Sequence, residues 1–221
     1  MTSLTQEPLA GMLEQMFAEA DSPASPQTRE ALARLTPEER RSLASSTDAA
    51  DYRRFYGLAK DAYLAVSRET AQLLYMLARA TEARTIVEFG TSFGISTLHL
   101  AAALRDNGGG RLVTTECEPS KAARARENFA AAGLADLIEL REGDAVETLA
   151  RDLPEQIDLV LIDGAKALYP AVLALLEERL GPNALIVADN ADSSPEYLGR
   201  VRGDGYLSLA FAEDVELSMR L

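Results

Sequence analysis

The chain has 221 residues, 47% hydrophobic and 26% charged, with 22 Lys and Arg against 35 Asp and Glu and a formal net charge of −13. This is a globular composition, long enough to bury a core without a metal or disulfide staple. The acid excess argues against a surface that displaces counterions from nucleic acid or lies on anionic lipid, since both need clustered Lys and Arg.

A single cysteine, Cys117, excludes an intramolecular disulfide and a Cys-rich zinc module, and fits a reducing cytoplasm. The first basic residue is Arg29, and the apolar positions before it are spaced as in an amphipathic helix, which is not a signal-peptide pattern. The longest uncharged run, 89–104, contains Gly, Ser, Thr and His and is too short and polar to span a bilayer. A soluble, cytoplasmic protein without a membrane partner is expected.

Residues 1–80 read as helical throughout. Thr36-Pro37-Glu38-Glu39 has the capping residue, the first-turn proline and the third-position acid of a helix start. The stretches 58–66 and 69–80 continue a 3.6-residue rhythm. From residue 84 short β-branched runs alternate with helical stretches: TIVEF (85–89), LVTTEC (112–117), LIELRE (137–142), IDLVLID (157–163) and ALIVADN (184–190). Pro119 opens a helix that Gly133 closes, and Tyr169-Pro170 opens another that Gly181-Pro182 closes. Five strands with intervening helices predict a parallel sheet. GYLSLAF (205–211) and VELSMRL (215–221) are joined by Ala212-Glu213-Asp214, too few residues for a parallel crossover, so they form an antiparallel hairpin at one end of the sheet.

Ligands of an open parallel sheet bind beyond the carboxyl ends of its strands. Strand one ends in Glu88-Phe89-Gly90-Thr91-Ser92-Phe93-Gly94 before a helix that starts near Ser96, a small-molecule loop in which glycine permits tight turns. Ser92 stands where a dinucleotide fingerprint has its second glycine, and no P-loop motif is present, so pyrophosphate is not the expected ligand. Strand two ends at Glu116, where an acid accepts both hydroxyl hydrogens of a ribose. Strand three ends at Gly143-Asp144-Ala145, placed to frame an adenine edge. Alone, each acid also reads as solvated surface; the coincidence of the strand ends carries the signal.

Strands four and five end at Asp163 and Asp189-Asn190. Two carboxylates and an amide oxygen form a hard half-shell suited to Mg²⁺, with water and substrate oxygens completing the coordination. Without His or Cys beside them, zinc is disfavoured. Asp189-Asn190 alone also reads as a cap or turn, and Lys166 alone as a solvated lysine. Beside a cation, Lys166 becomes a candidate general base. His99, on an apolar helix, reads as structural.

The motifs VEFGTSFGIST, VTTECEP, REGDA, LVLIDGAKALY and IVADN, in this order and spacing, resemble the class I S-adenosylmethionine-dependent O-methyltransferases. The resemblance runs from about residue 60 to the end and is closest to the cation-dependent group that includes catechol and caffeoyl-CoA O-methyltransferases. It implies an α/β, Rossmann-like methyltransferase fold: a seven-stranded, mostly parallel sheet with a C-terminal antiparallel hairpin. Residues 1–60 would form a helical lid or oligomerisation segment, and 61–221 the S-adenosylmethionine-dependent domain.

Carried over by position, Glu88, Gly90 and Ser96 are implied as methionine-end and loop contacts, Glu116 as the ribose acceptor with Cys117 beside it, and Asp144 and Ala145 as the adenine frame. Val66 falls in the segment that closes over the cofactor. Asp163 is implied as both cofactor contact and metal ligand, Asp189 and Asn190 as further ligands of Mg²⁺ (or Mn²⁺ or Ca²⁺), and Lys166 as the base. Ala165 departs from the Asp or Trp of relatives, and the segment after Asn190 is shorter than in the caffeoyl-CoA group, with Val201-Arg202-Gly203 closer to the catechol enzymes.

The expected reaction is methyl transfer to one hydroxyl of a vicinal dihydroxy aromatic small molecule, by a homodimer. Two other classes stay open. One is an RNA methyltransferase acting on a hydroxylated base, which the charge opposes unless Arg29, Arg34, Arg40, Arg41, Arg53 and Arg54 form a basic patch. The other is a non-catalytic cofactor-binding protein. Residues 1–80 hold 9 basic and 11 acidic side chains and residues 81–221 hold 13 and 24, so the acid excess belongs to the sheet region.

Overall fold

The computed structural model describes residues 2–212 and 214–221. Five helices come first: α1 (Leu9–Ala20), α2 (Pro26–Ala33), α3 (Pro37–Ala44), α4 (Ala49–Leu58) and α5 (Arg68–Ala80). Strands and helices then alternate as β1 (Thr85–Phe89), α6 (Ile95–Asp106), β2 (Arg111–Glu116), α7 (Pro119–Ala131), β3 (Ile138–Glu142), α8 (Ala145–Thr148), β4 (Ile157–Ile162), α9 (Tyr169–Glu177) and β5 (Leu180–Ala188). The chain ends with α10 (Pro195–Val201), β6 (Tyr206–Phe211) and β7 (Val215–Arg220).

One seven-stranded sheet has the order β3-β2-β1-β4-β5-β7-β6. The first five strands pair in parallel, and β7 runs antiparallel to both β5 and β6. The expected seven-stranded, mostly parallel sheet and terminal hairpin are both present; Glu213 of the hairpin connection lies outside the described residues. The strand order reverses direction between β1 and β4, which opens a crevice at their carboxyl ends.

The period-2 alternation of each strand feeds two apolar layers. Ile86, Leu112, Leu159 and Val187 pack with α5, α6 and α1, whereas Val87, Val113, Val160 and Ile186 pack with α9, α10 and Tyr52 of α4. On α5 the buried Thr70, Ala71, Leu74 and Ala78 fall on one helical face. The N-terminal helices thus join both layers: Leu9, Leu13, Met16 and Phe17 of α1 enter one, and Tyr52 enters the other. Thr36 and Glu39 make the expected reciprocal capping box on α3. His99 is buried, its Nδ1 2.8 Å from the Ile95 carbonyl.

Two local expectations are corrected. The stretch 58–66 does not continue as helix, because α4 stops at Leu58, the chain turns over residues 59–62 and then runs without regular structure until Ser67 caps α5 through the Thr70 amide. Tertiary contacts override the local rhythm there: Tyr63 packs on Phe93 and donates to Glu19, while Val66 is buried in the core. Gly181-Pro182 does not close α9, which ends at Glu177; both residues lie in β5. The pairing there shifts from Ile157↔Leu180 to Leu159↔Leu185, an irregularity that leaves Pro182 no ladder amide to supply. Among the described residues no helix is long and apolar enough to cross a membrane.

Candidate active site

A cavity of about 400 Å³ opens at the carboxyl ends of β1, β2, β4 and β5. That size suits a small organic ligand. The loops after β1 and β4 touch in its floor: Asp163 N donates to the Phe89 carbonyl, and Gly90 sits at φ +102 with the Asp163 carbonyl beside it. A Cβ on Gly90 would lie 2.3 Å from that oxygen, so only glycine allows the two loops to meet.

Glu116 lines the cavity, its Oε2 accepting from Ser92 N at 2.8 Å and its Oε1 from Glu118 N at 2.9 Å. Each oxygen keeps acceptor capacity. Burial raises the Glu116 carboxyl above the usual range, opposed by these amides and by the positive charge of Lys121. Ser92 takes the left-handed conformation at φ +48 to make this contact. Cys117 also lines the cavity, and burial followed by the charge of Glu116 pushes its thiol up to about 12, which leaves it protonated and inert.

Glu88 lies beneath the loop, outside the cavity lining. Ser96 Oγ donates to its Oε1 at 2.6 Å, and Thr97 Oγ1 and Thr114 Oγ1 donate to its Oε2 at 2.5 and 2.6 Å. Burial pushes its carboxyl up to about 7 despite the three hydroxyls. Ser96 borders a small adjoining recess with Gly90, Tyr63 and Leu64. Val66 points into the core, and its neighbours Leu64 and Ala65 line the cavity instead.

At the end of β3, Gly143 and Ala145 line the cavity while Asp144 stands behind them. Asp144 caps α8, its Oδ1 accepting from Val146 N at 2.8 Å and its Oδ2 from the hydroxyl of Tyr52 at 2.5 Å.

On the opposite side, Asp163, Lys166, Asp189 and Asn190 line the same cavity. Lys166 Nζ donates to Asp163 Oδ1 at 2.7 Å and to the Tyr169 hydroxyl at 2.8 Å, and that hydroxyl donates to the Asp189 carbonyl at 2.7 Å. Burial raises both carboxyls; the charge of Lys166 opposes this at Asp163, and the charge of Asp163 adds to it at Asp189. Asn190, left-handed at φ +49, donates from Nδ2 to Asp214 Oδ2 at 2.9 Å. With its nitrogen engaged there, the amide oxygen is its free end. Among the described residues no three His, Cys, Asp or Glu side chains gather as a metal site. A cation here would draw on two carboxylates and the Asn190 amide, with other oxygens from water or ligand.

A family model described as a methyltransferase domain matches residues 87–191, the span from β1 to the end of β5. The catechol O-methyltransferase of Niastella koreensis is 36% identical over 130 residues, covering 58% of each chain. The aligned stretch is therefore less than two thirds of that relative's length. A protein of Mycobacterium sp. (strain JLS) named for O-methyl transfer is 35% identical over 175 residues, covering 73% of this chain and 74% of its own. The chain belongs to the class I S-adenosylmethionine-dependent O-methyltransferases. Among solved structures, the O-methyltransferase TomG of Streptomyces achromogenes, in complex with S-adenosylmethionine, superposes with a TM-score of 0.62 at 26% identity, covering 89% of this chain and 99% of that one.

In this chain the structure brings Gly90, Glu116, Cys117, Ala145, Asp163, Lys166, Asp189 and Asn190 to one cavity. It sets Glu88, Ser96, Asp144 and Val66 around or behind it. The sequence reading passed over Tyr52, Tyr56, Lys121, Tyr169 and Asp214. Tyr52 and Tyr56 share a face of α4 by their spacing, but which element that face meets depends on the fold. Tyr169 stands three residues past Lys166, a spacing that reads first as the start of α9.

Proposed function

We propose that this protein is a divalent-metal-dependent O-methyltransferase whose acceptor is a vicinal dihydroxy aromatic small molecule. The carrying observation is that Asp163, Asp189, Asn190 and Lys166 share one cavity with Glu116 and the Gly90 loop. The catechol O-methyltransferase name of a relative supports the acceptor class. The donor set fits a hard cation: the oxygens come from two carboxylates and an amide, burial raises both carboxyls, and the charge of Asp163 adds to this at Asp189 and that of Asp214 at both. Asp163, Asp189 and Asn190 would hold the ion.

When bound, S-adenosylmethionine supplies the methyl group on its sulfonium, and the cation supplies Lewis acidity at the acceptor oxygens. Glu116 accepts the ribose hydroxyls, and the backbone at Gly90 lets the cofactor approach closely. Lys166 Nζ is held by Asp163 and Tyr169; once its ammonium has released a proton to solvent, which a cation beside it would favour, the neutral amine would take the proton of the reacting hydroxyl. Tyr56, Tyr63 and Leu64 line the cavity and present an apolar surface to an aromatic ring.

The test is methyl transfer from labelled S-adenosylmethionine to a panel of catechols and other hydroxylated aromatics, with and without EDTA. Turnover is expected to stop in EDTA and return with Mg²⁺. Lys166→Met is expected to lower kcat by about 10²–10⁴ with cofactor binding retained. Full turnover in EDTA, or unaltered kcat in Lys166→Met, would sink the proposal. Cofactor binding with no turnover of any small molecule, together with salt-sensitive RNA binding, would favour an RNA substrate.

A further inference from the structure

Lys121, on α7, is 2% exposed and lines the cavity beside Glu116. Lysines of this kind usually thread their ammonium out to water along an apolar stem. This one keeps almost none of its surface outside the fold. Among the described residues its one side-chain hydrogen bond runs to Ser92 Oγ at 3.5 Å, the long limit for such a contact, and its Nζ lies 5.2 Å from the centre of the Phe93 ring. It makes no ion pair with a carboxylate among the described residues; Glu116 is the strongest of the carboxylates acting on it from further off, ahead of Glu118 and Asp61. Burial accordingly pulls its pKa down. An ammonium has three N–H donors, and one long bond to Ser92 Oγ leaves two of them for a group that enters the cavity.

Ser92 fixes where that group must be. Its backbone N–H binds Glu116 Oε2 while its hydroxyl receives Lys121, so the acid and the amine flank one residue, and all three line the cavity. A carboxylate accepts hydroxyl protons and offers nothing to hydroxyl lone pairs; an ammonium does the reverse. A vicinal diol presents both. We infer that Lys121 is a cofactor-binding residue that donates to the ribose hydroxyl oxygens whose protons Glu116 accepts, so that acid and amine together read the diol. This rests on the methyltransferase reading of the cavity. The pair selects for an intact ribose, since losing either hydroxyl strands one of two buried polar groups.

The experiment is calorimetric titration of the full chain and of Lys121→Met with S-adenosylhomocysteine and its 2′-deoxy and 3′-deoxy forms, with unfolding curves to verify the fold. For the wild type, at least one deoxy form should bind about tenfold more weakly than the parent, the value of one charged hydrogen bond. Lys121→Met should weaken the parent by about tenfold and erase most of that discrimination; Lys121→Gln, which keeps a donor, should recover part of both. Equal weakening of all three ligands in Lys121→Met, leaving the discrimination intact, would overturn the inference and leave Lys121 a structural residue. Failure of the wild type to bind S-adenosylhomocysteine at all would overturn the function reading beneath it, a distinct result.

Discussion

The hydroxyl of Tyr52 donates a 2.5 Å hydrogen bond to Asp144 Oδ2, tying α4 to the loop after β3 across 92 residues of chain. Both partners are buried, and the carboxylate end of the bond makes it a strong one. Burial and then the carboxylate raise the Tyr52 hydroxyl above its ordinary range, so it stays a donor at any physiological pH. Tyr52→Phe is expected to cost about 1.5–3 kcal/mol in urea unfolding and to weaken S-adenosylhomocysteine binding, because Ala145, next to Asp144, lines the cavity. A loss under about 0.5 kcal/mol would show that water replaces the hydroxyl.

Glu88 predicts a pH dependence. Its carboxyl is pushed from 4.5 up to about 7 in the fold, so between these values the folded chain binds a proton that the unfolded chain has lost. Its contribution to stability is therefore full below about pH 4.5 and declines as pH rises toward 7, by at most about 1.4 kcal/mol per pH unit. Unfolding midpoints of the ligand-free chain at pH 5, 6 and 7.5 should fall in that order from this group, and Glu88→Gln should flatten the decline. A slope unchanged by the substitution would assign it to other groups.

Gly90→Ala should strike the contact between the β1 and β4 loops. The φ of +102 is unfavourable for alanine, and its Cβ would meet the Asp163 carbonyl at 2.3 Å. The expected cost is about 3 kcal/mol or more, with loss of cofactor binding. Thermal unfolding with and without S-adenosylhomocysteine measures both; a wild-type midpoint would mean that the loops part at little cost.

Asp214 orients Asn190. By holding Nδ2 at 2.9 Å it leaves the amide oxygen free, which is the end a cation requires. On the proposed metal reading, Asp214→Ala should weaken Mn²⁺ binding to the cofactor-free chain about tenfold or more, measured by electron paramagnetic resonance. Asp214→Asn, whose side-chain carbonyl still accepts from Asn190, should weaken it less. Equal losses in the two variants would point to the charge of Asp214 rather than to the hydrogen bond.

The sequence by itself determined the sheet and the catalogue of polar residues at its edge. The period-2 runs from residue 85 onward, the caps at Thr36, Pro119 and Gly133, and the short link before residue 215 are local signals, and each became the expected element. Gly90, Glu116, Asp163, Lys166, Asp189 and Asn190 were legible because strand ends in a parallel sheet converge on one edge. Only the tertiary structure decided which of the others reach the cavity. Glu88 reads like its neighbours in the chain, yet its place beneath the loop gives its carboxylate to Ser96, Thr97 and Thr114. Tyr52, Lys121 and Asp214 carry no local signal, since each acts through a partner brought to it by packing: Asp144, Ser92 and Asn190. The stretch 58–66 shows the same cause in the backbone. Its helical rhythm is worth tenths of a kcal/mol per residue, less than burying Val66 and stacking Tyr63 on Phe93, so long-range contacts set its conformation.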